Sequence, residues 1–200
     1  MVLAGALKEE MKVLNKDPQP VAPEEEGDGE TVEELLKELH GHDWKRRENA
    51  RWQLETMRDV SVFPLMHALE DPDWHVRWEA AKALRDIADP RSAPALVRTL
   101  RDRRFGVRWL ASDGLIALGE AALPALLKEL VHSGDSVLLR NGAHHVLRDL
   151  ARGHVSREIV NILLPVIEAL ESIEPSVTVP VVARTALDQL PARVRRKASP

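Results

Sequence analysis

The 200-residue chain has no cysteine, no tyrosine and only two phenylalanines. Without cysteine there is no disulfide, no thiol nucleophile and no thiolate ligand for a metal. Few aromatics beside abundant Ala, Leu, Glu and Arg disfavour strands and favour helices. Positive charge is not in excess either. The formal net charge of −4 gives no global attraction to nucleic acid or to an anionic membrane, although local patches stay open. No basic leader opens the sequence: MVLAGALKEEMKVL is interrupted by Lys8, Glu9 and Glu10 before a signal-peptide core could form, and no stretch reads as long enough to span a membrane. These absences predict a cytoplasmic protein with no membrane partner. There is also no HExxH motif, no Gly-rich phosphate loop and no Ser-His-Asp signature, so no catalytic residue, metal ligand or cofactor is assigned.

What is present is organised in four parts. Leu3, Leu7, Met11 and Leu14 share one face at helical spacing, which predicts an amphipathic helix over 1–14 that docks on the body or on another chain. Residues 15–30, NKDPQPVAPEEEGDGE, have the proline, glycine and acidic content of a solvated linker. The folded domain spans 31–190. Beyond Pro191 the basic run ARVRRK predicts a frayed tail over 191–200.

Within the domain the sequence repeats with a period of about thirty residues. HDWKRRENARWQL (42–54) aligns with PDWHVRWEAAKAL (72–84), then with RFGVRWLASDGL (104–115) and more loosely with SVLLRNGAHHVL (136–147). Between the copies lie VFPLMHAL, SAPALVRTL and AALPALLKEL, each with a proline near a helix start, where its missing N–H costs little. Each unit therefore reads helix, turn, helix. VEELLKELHGHDW forms a half repeat at the N-terminal end, and 157–173 and 177–190 supply two closing helices. The Asp, Val-Arg, Ala-Ala, Ala-Leu, Asp-Pro and Pro-Ala-Leu pattern of DWHVRWEAAKALRDIADPRSAPALVRTL resembles HEAT-like repeats of the phycobilisome-lyase type. That resemblance implies an all-α, right-handed α-solenoid of four to five helix pairs, and it implies no particular activity.

In the second copy Val76, Ala80, Leu84 and Ile87 form the apolar stripe that must face the core. Trp74, Trp78 and Lys82 precede that stripe by two positions, a rotation of about 200°, and so should point away from it. Trp44, Glu48 and Trp52 hold the same register in the first copy, Phe105, Trp109 and Asp113 in the third, and Asn141 and His145 in the fourth. A second line beside it carries Lys45, His75 and Glu79. All five tryptophans fall in this one register, and the resemblance places it on the concave face. Exposed aromatics in a row mark an interaction site. The predicted function is non-enzymatic protein or peptide binding in an aromatic groove. Glu48, Glu79 and Asp113, with Lys45 and Lys82, would set its charge selectivity, favouring a partner with basic residues. Replacing Trp78 and Trp109 should then spare the fold.

Other chemistries fit less well. Arg47, Arg77, Arg108 and Arg140 recur once per repeat but suit structural pairing better than a phosphate ladder. Trp109, Asp113, His145 and Arg148 are similar to the aromatic, Asp and Arg set of HEAT-like alkylpurine DNA glycosylases, which is the alternative enzymatic reading, although nucleic acid suits the negative charge poorly. A bilin-lyase activity has no support beyond the repeat type. Self-association through the N-terminal helix is the remaining alternative.

Overall fold

The computed structural model describes residues 30–197. The expected helix over 1–14 and all but the last residue of the acidic linker lie outside them. The helices are α1 (Val32–Glu38), α2 (Trp44–Thr56), α3 (Val62–Ala68), α4 (Trp74–Ile87), α5 (Ala93–Thr99), α6 (Phe105–Leu118), α7 (Leu123–Ser133), α8 (Val137–Asp149), α9 (Arg157–Leu170), α10 (Pro175–Gln189) and α11 (Ala192–Lys197). No strand occurs among the described residues.

The helices form two layers. One, the arginine layer, stacks α2, α4, α6, α8 and α9 in order, and each packs on the next. The other holds α1, α3, α5 and α7, closed by α10 against α7; three of its helices carry an early proline (Pro64, Pro94, Pro124), so it is called the proline layer here. Consecutive helices pair across the layers as α1/α2, α3/α4, α5/α6, α7/α8 and α9/α10, five pairs among the described residues. The fold is an all-α solenoid. The segment read as a half repeat is therefore the proline-layer partner of α2.

The core runs between the layers. Val76, Ala80, Leu84 and Ile87 of α4 are buried, as are Val107, Ala111 and Leu115 of α6 and Leu139, Ala143 and Leu147 of α8. The proline layer contributes Leu65, Leu96, Leu100, Leu126 and Leu130. Close approach needs small residues. At Gly134 an added Cβ would lie 2.7 Å from Pro180 Cγ, so only glycine lets α10 settle there.

Local signals set the helix ends. Thr31 and Glu34 form a reciprocal capping box at α1, and the side chains of Asp43 and Asp73 accept from the N–H groups of Lys45 and His75. One interaction recurs in four units. Arg47, Arg77, Arg108 and Arg140, each the fourth residue of its helix, donate through Nη1 to the carbonyls of Gly41, Asp71, Asp102 and Gly134, at 2.8, 2.8, 2.8 and 2.7 Å. Each bond ties a helix back to the turn that precedes it.

Two expectations change. The basic tail does not fray at once: α11 buries Val194, and Arg193 pairs with Glu158 at 3.0 Å. The segment Phe105–Ser133, in which no membrane-spanning stretch was expected, is long and apolar enough to cross a membrane by length and composition. Its chain turns at Gly119, with φ of 60°, into two helices of different layers, and 56% of its apolar window is buried within the protein.

The end of α4 carries a testable strain. Ala88 caps it in the left-handed region at φ 52°, ψ 41°, where a Cβ is disfavoured. Ala88→Gly should raise stability by about 0.5 kcal/mol, the relief of strain exceeding the added freedom of the unfolded chain. Urea denaturation checks it, and an unchanged or lowered midpoint would refute the strain.

Candidate functional site

The aromatic register lies along one edge of the arginine layer. Trp44, Trp74, Phe105 and Val137 are the first residues of α2, α4, α6 and α8, and the arginine tethers start these helices at equivalent points of their turns. Trp44 and Phe105 are open to solvent, at 57% and 51% exposure. Val137, Leu138 and Asn141 continue the exposed line on α8, while Trp52, Trp74, Trp78 and Trp109 are half-buried.

The half-buried rings bridge successive repeats. Trp78 leans on α6, where a Cβ at Gly106 would meet its Cδ1 and Nε1 at 3.5 Å, and it also packs on the core. Trp109 faces His145 of α8 with ring centroids 5.0 Å apart, and Phe105 lies 6.2 Å from Trp109. Trp74 lies against His75, with ring centroids 3.8 Å apart and tilted by 31°, and also meets Arg104, whose guanidinium carbon is 5.1 Å from the indole centroid.

Two residues assigned to the open groove are not there: Glu79 and Lys82 keep 6% and 4% of their surface. A rotation measured from the core stripe neglects the lateral neighbours. Helix α4 has α2 on one side and α6 on the other, so only a narrow arc of it is open. Lys82 lies with its ammonium 5.3 Å from the Trp78 ring. Glu79 turns to α2, where Oε2 is 3.2 Å from Arg51 Nε and Oε1 is 3.7 Å from Arg47 Nε. Arg51, 5% exposed, is the hub of this cluster and also pairs with Glu55 and, at 3.9 Å, with Glu48 and Asp86. The expectation that Trp78 is dispensable to the fold falls with its packing.

The charge of the face also differs from expectation. Lys45 places its ammonium 5.7 Å from the Trp44 centroid, and Arg108 its guanidinium 5.6 Å from Phe105. The chain's own cations thus occupy ring faces that a basic partner would need. The carboxylates are engaged: Glu48 and Glu79 by Arg51, Asp73 by His75 at 3.0 Å, Asp102 by Arg77 at 2.6 and 3.1 Å, and Asp113 has an interaction of its own. The sequence reading missed Arg103 and Arg104. Its one legible signal was the cap position, Asp43 and Asp73 in the first two copies but Arg104 in the third.

The glycosylase-like set is not assembled as expected. Trp109 and His145 meet, but Arg148 donates to Glu171 at 3.1 Å, alongside His144 at 2.7 Å, and so serves the α8–α9 junction. Among the described residues no group of three or more His, Asp or Glu could hold a metal ion.

A family model of HEAT repeats matches residues 32–115 and again 64–148. The chain belongs to the HEAT repeat family. Among solved structures, it is similar to the complex of CpcE and CpcF of phycocyanin lyase from Nostoc sp. PCC7120. The identity is 27%, covering 86% of this chain and 70% of that one, with a TM-score of 0.45. Comparison with curated proteins finds no match.

Burial raises the Glu79 carboxyl above the usual range, and Arg51, Lys82 and Arg47 only partly oppose it. The Arg51 Nε and Glu79 Oε2 atoms, although close, form no aligned hydrogen bond, which is why the opposition is incomplete. A carboxyl raised on folding lends stability below its unfolded value, and that stability is lost as pH rises through the folded value. Glu79→Gln, which resembles the protonated form, should therefore match or exceed wild-type stability at neutral pH, within about 1 kcal/mol. Its advantage should shrink as pH falls into the ordinary glutamate range, where the wild-type carboxyl is itself protonated. A loss of about 3 kcal/mol at neutral pH would show that the arginine attraction wins.

Proposed function

We propose that the protein is a non-catalytic scaffold that binds a protein or peptide segment along the aromatic edge of its arginine layer. The observation that carries this reading is the pair of open rings, Trp44 and Phe105, set in one register with half-buried Trp74 and Trp109 across successive repeats. Large aromatics left half open in a row expose apolar area that a soluble surface ordinarily avoids, and Trp is a preferred interface anchor. Val137 and Leu138 extend the exposed apolar line onto α8.

Catalysis has less behind it. The carboxylates Asp102, Asp73, Glu48 and Glu79 are held by arginine or histidine partners, and groups so held are poorly placed to act as acid or base on a substrate.

The rings divide into two classes with different expected effects. Trp44→Ala with Phe105→Ala should leave the thermal melt within about 0.5 kcal/mol of wild type, as surface substitutions do. The same double variant should lose the proteins that cross-link to the full chain in cells. Trp78→Ala should cost about 2 kcal/mol because it empties the space over Gly106. Unchanged cross-linking by the double variant would defeat the proposed edge.

A further inference from the structure

The side chains along this edge carry a charge asymmetry that the net charge conceals. Most of its carboxylates are engaged: Asp102 is ion-paired to Arg77, Glu48 and Glu79 lie against Arg51, Asp73 bonds His75, and exposed Asp43 accepts from the Lys45 backbone N–H. Three of its cations are not. Lys45, Arg103 and Arg104 are exposed, and none of them meets a carboxylate among the described residues. Lys45 and Arg104 lie against the Trp44 and Trp74 rings, and Arg108, bonded only to the carbonyls of Asp102 and Arg103, covers Phe105. At the turn between α5 and α6, Arg103 and Arg104 border an open cleft of about 560 Å³ that Trp74 and Pro72 also line. The acidic groups in that cleft are again paired, Glu70 with Arg98 at 3.2 Å and Asp71 with His40 at 3.4 Å.

Resting on the peptide-binding reading above, we infer that the partner is an acidic peptide segment whose carboxylates meet Lys45, Arg103 and Arg104 while its apolar side chains lie on the open rings. A cation stacked on an indole keeps its outward N–H groups, so an incoming carboxylate gains charge-assisted hydrogen bonds without displacing the stack. A basic segment would have to expel these cations first. With helices stacked at about 9 Å, the distance from α2 to α6 is about 18 Å, which an extended segment of about six residues spans. A nucleic acid is a poorer match, because its affinity rests on many phosphate contacts and this edge offers only a few cations, in a protein whose net charge of −4 gives no long-range attraction.

The test uses the full chain and three fluorescein-labelled peptides of about eight residues. They alternate leucine with glutamate, lysine or glutamine, and binding is read by fluorescence anisotropy. The glutamate peptide should bind at least about tenfold more tightly than the lysine one, and its affinity should fall as salt is added. Arg103→Glu with Arg104→Glu should abolish that preference without moving the thermal melt. Equal binding of the glutamate and glutamine peptides, or preference for lysine, overturns the acidic partner while the binding edge survives, provided that Trp44→Ala with Phe105→Ala weakens binding. A single-stranded oligonucleotide that competes more strongly than the glutamate peptide also overturns it. No binding by any of the three peptides removes both the acidic partner and the peptide-binding reading.

Discussion

The starts of α2, α4, α6 and α8 are fixed by one hydrogen bond made four times, from an arginine in the first turn to the carbonyl six residues before it. A guanidinium has a rigid, planar fork, so the bond sets both the distance and the angle at which a helix leaves its turn. Arg77 adds a second constraint, because its other nitrogens grip Asp102 in the turn of the following unit. Asp102 in turn accepts from the Arg104 N–H at 2.7 Å. Turn is thereby joined to turn, and the first residues of successive helices align. The aromatic edge is a consequence of that alignment.

Between α2 and α4 the solenoid uses charge where elsewhere it uses alanine and leucine. Glu79 sits buried where the third unit has Leu110, and Arg51 where the second and third units have Ala81 and Ser112, all of them buried. An ion cluster of this kind adds little net stability, since desolvation offsets attraction. Its effect is to lock Glu48 and Glu79 inward. What remains at the surface without an ion-pair partner includes Lys45, Arg103 and Arg104, in a protein whose net charge is negative. The rings and the free cations then belong to one surface, because the cations rest on the rings.

The repeat, the two-helix unit and the core stripe were legible because they depend on short-range rules. Val76, Ala80, Leu84 and Ile87 recur at helical spacing, and the aspartate caps and early prolines mark the ends of helices within a few residues. The aromatic register was legible for the same reason. Its exposure was not. Trp78 lies one turn further along the same stripe than Trp44, and it fills the space above Gly106 because α6, a lateral neighbour, packs beside that turn, whereas Trp44 at the start of α2 is open. Glu79 and Lys82 were misplaced by the same omission.

The sequence by itself determined the solenoid and the line on which its aromatics fall, since both follow from periodicity along a helix. The tertiary structure alone decided which of those aromatics remain open and which sign of charge accompanies them. Those outcomes rest on contacts across about one repeat, such as Arg104 over Trp74 and Arg51 against Glu79. Side chains so far apart in the chain meet only once the layers are stacked, and no local pattern records which of them will pair.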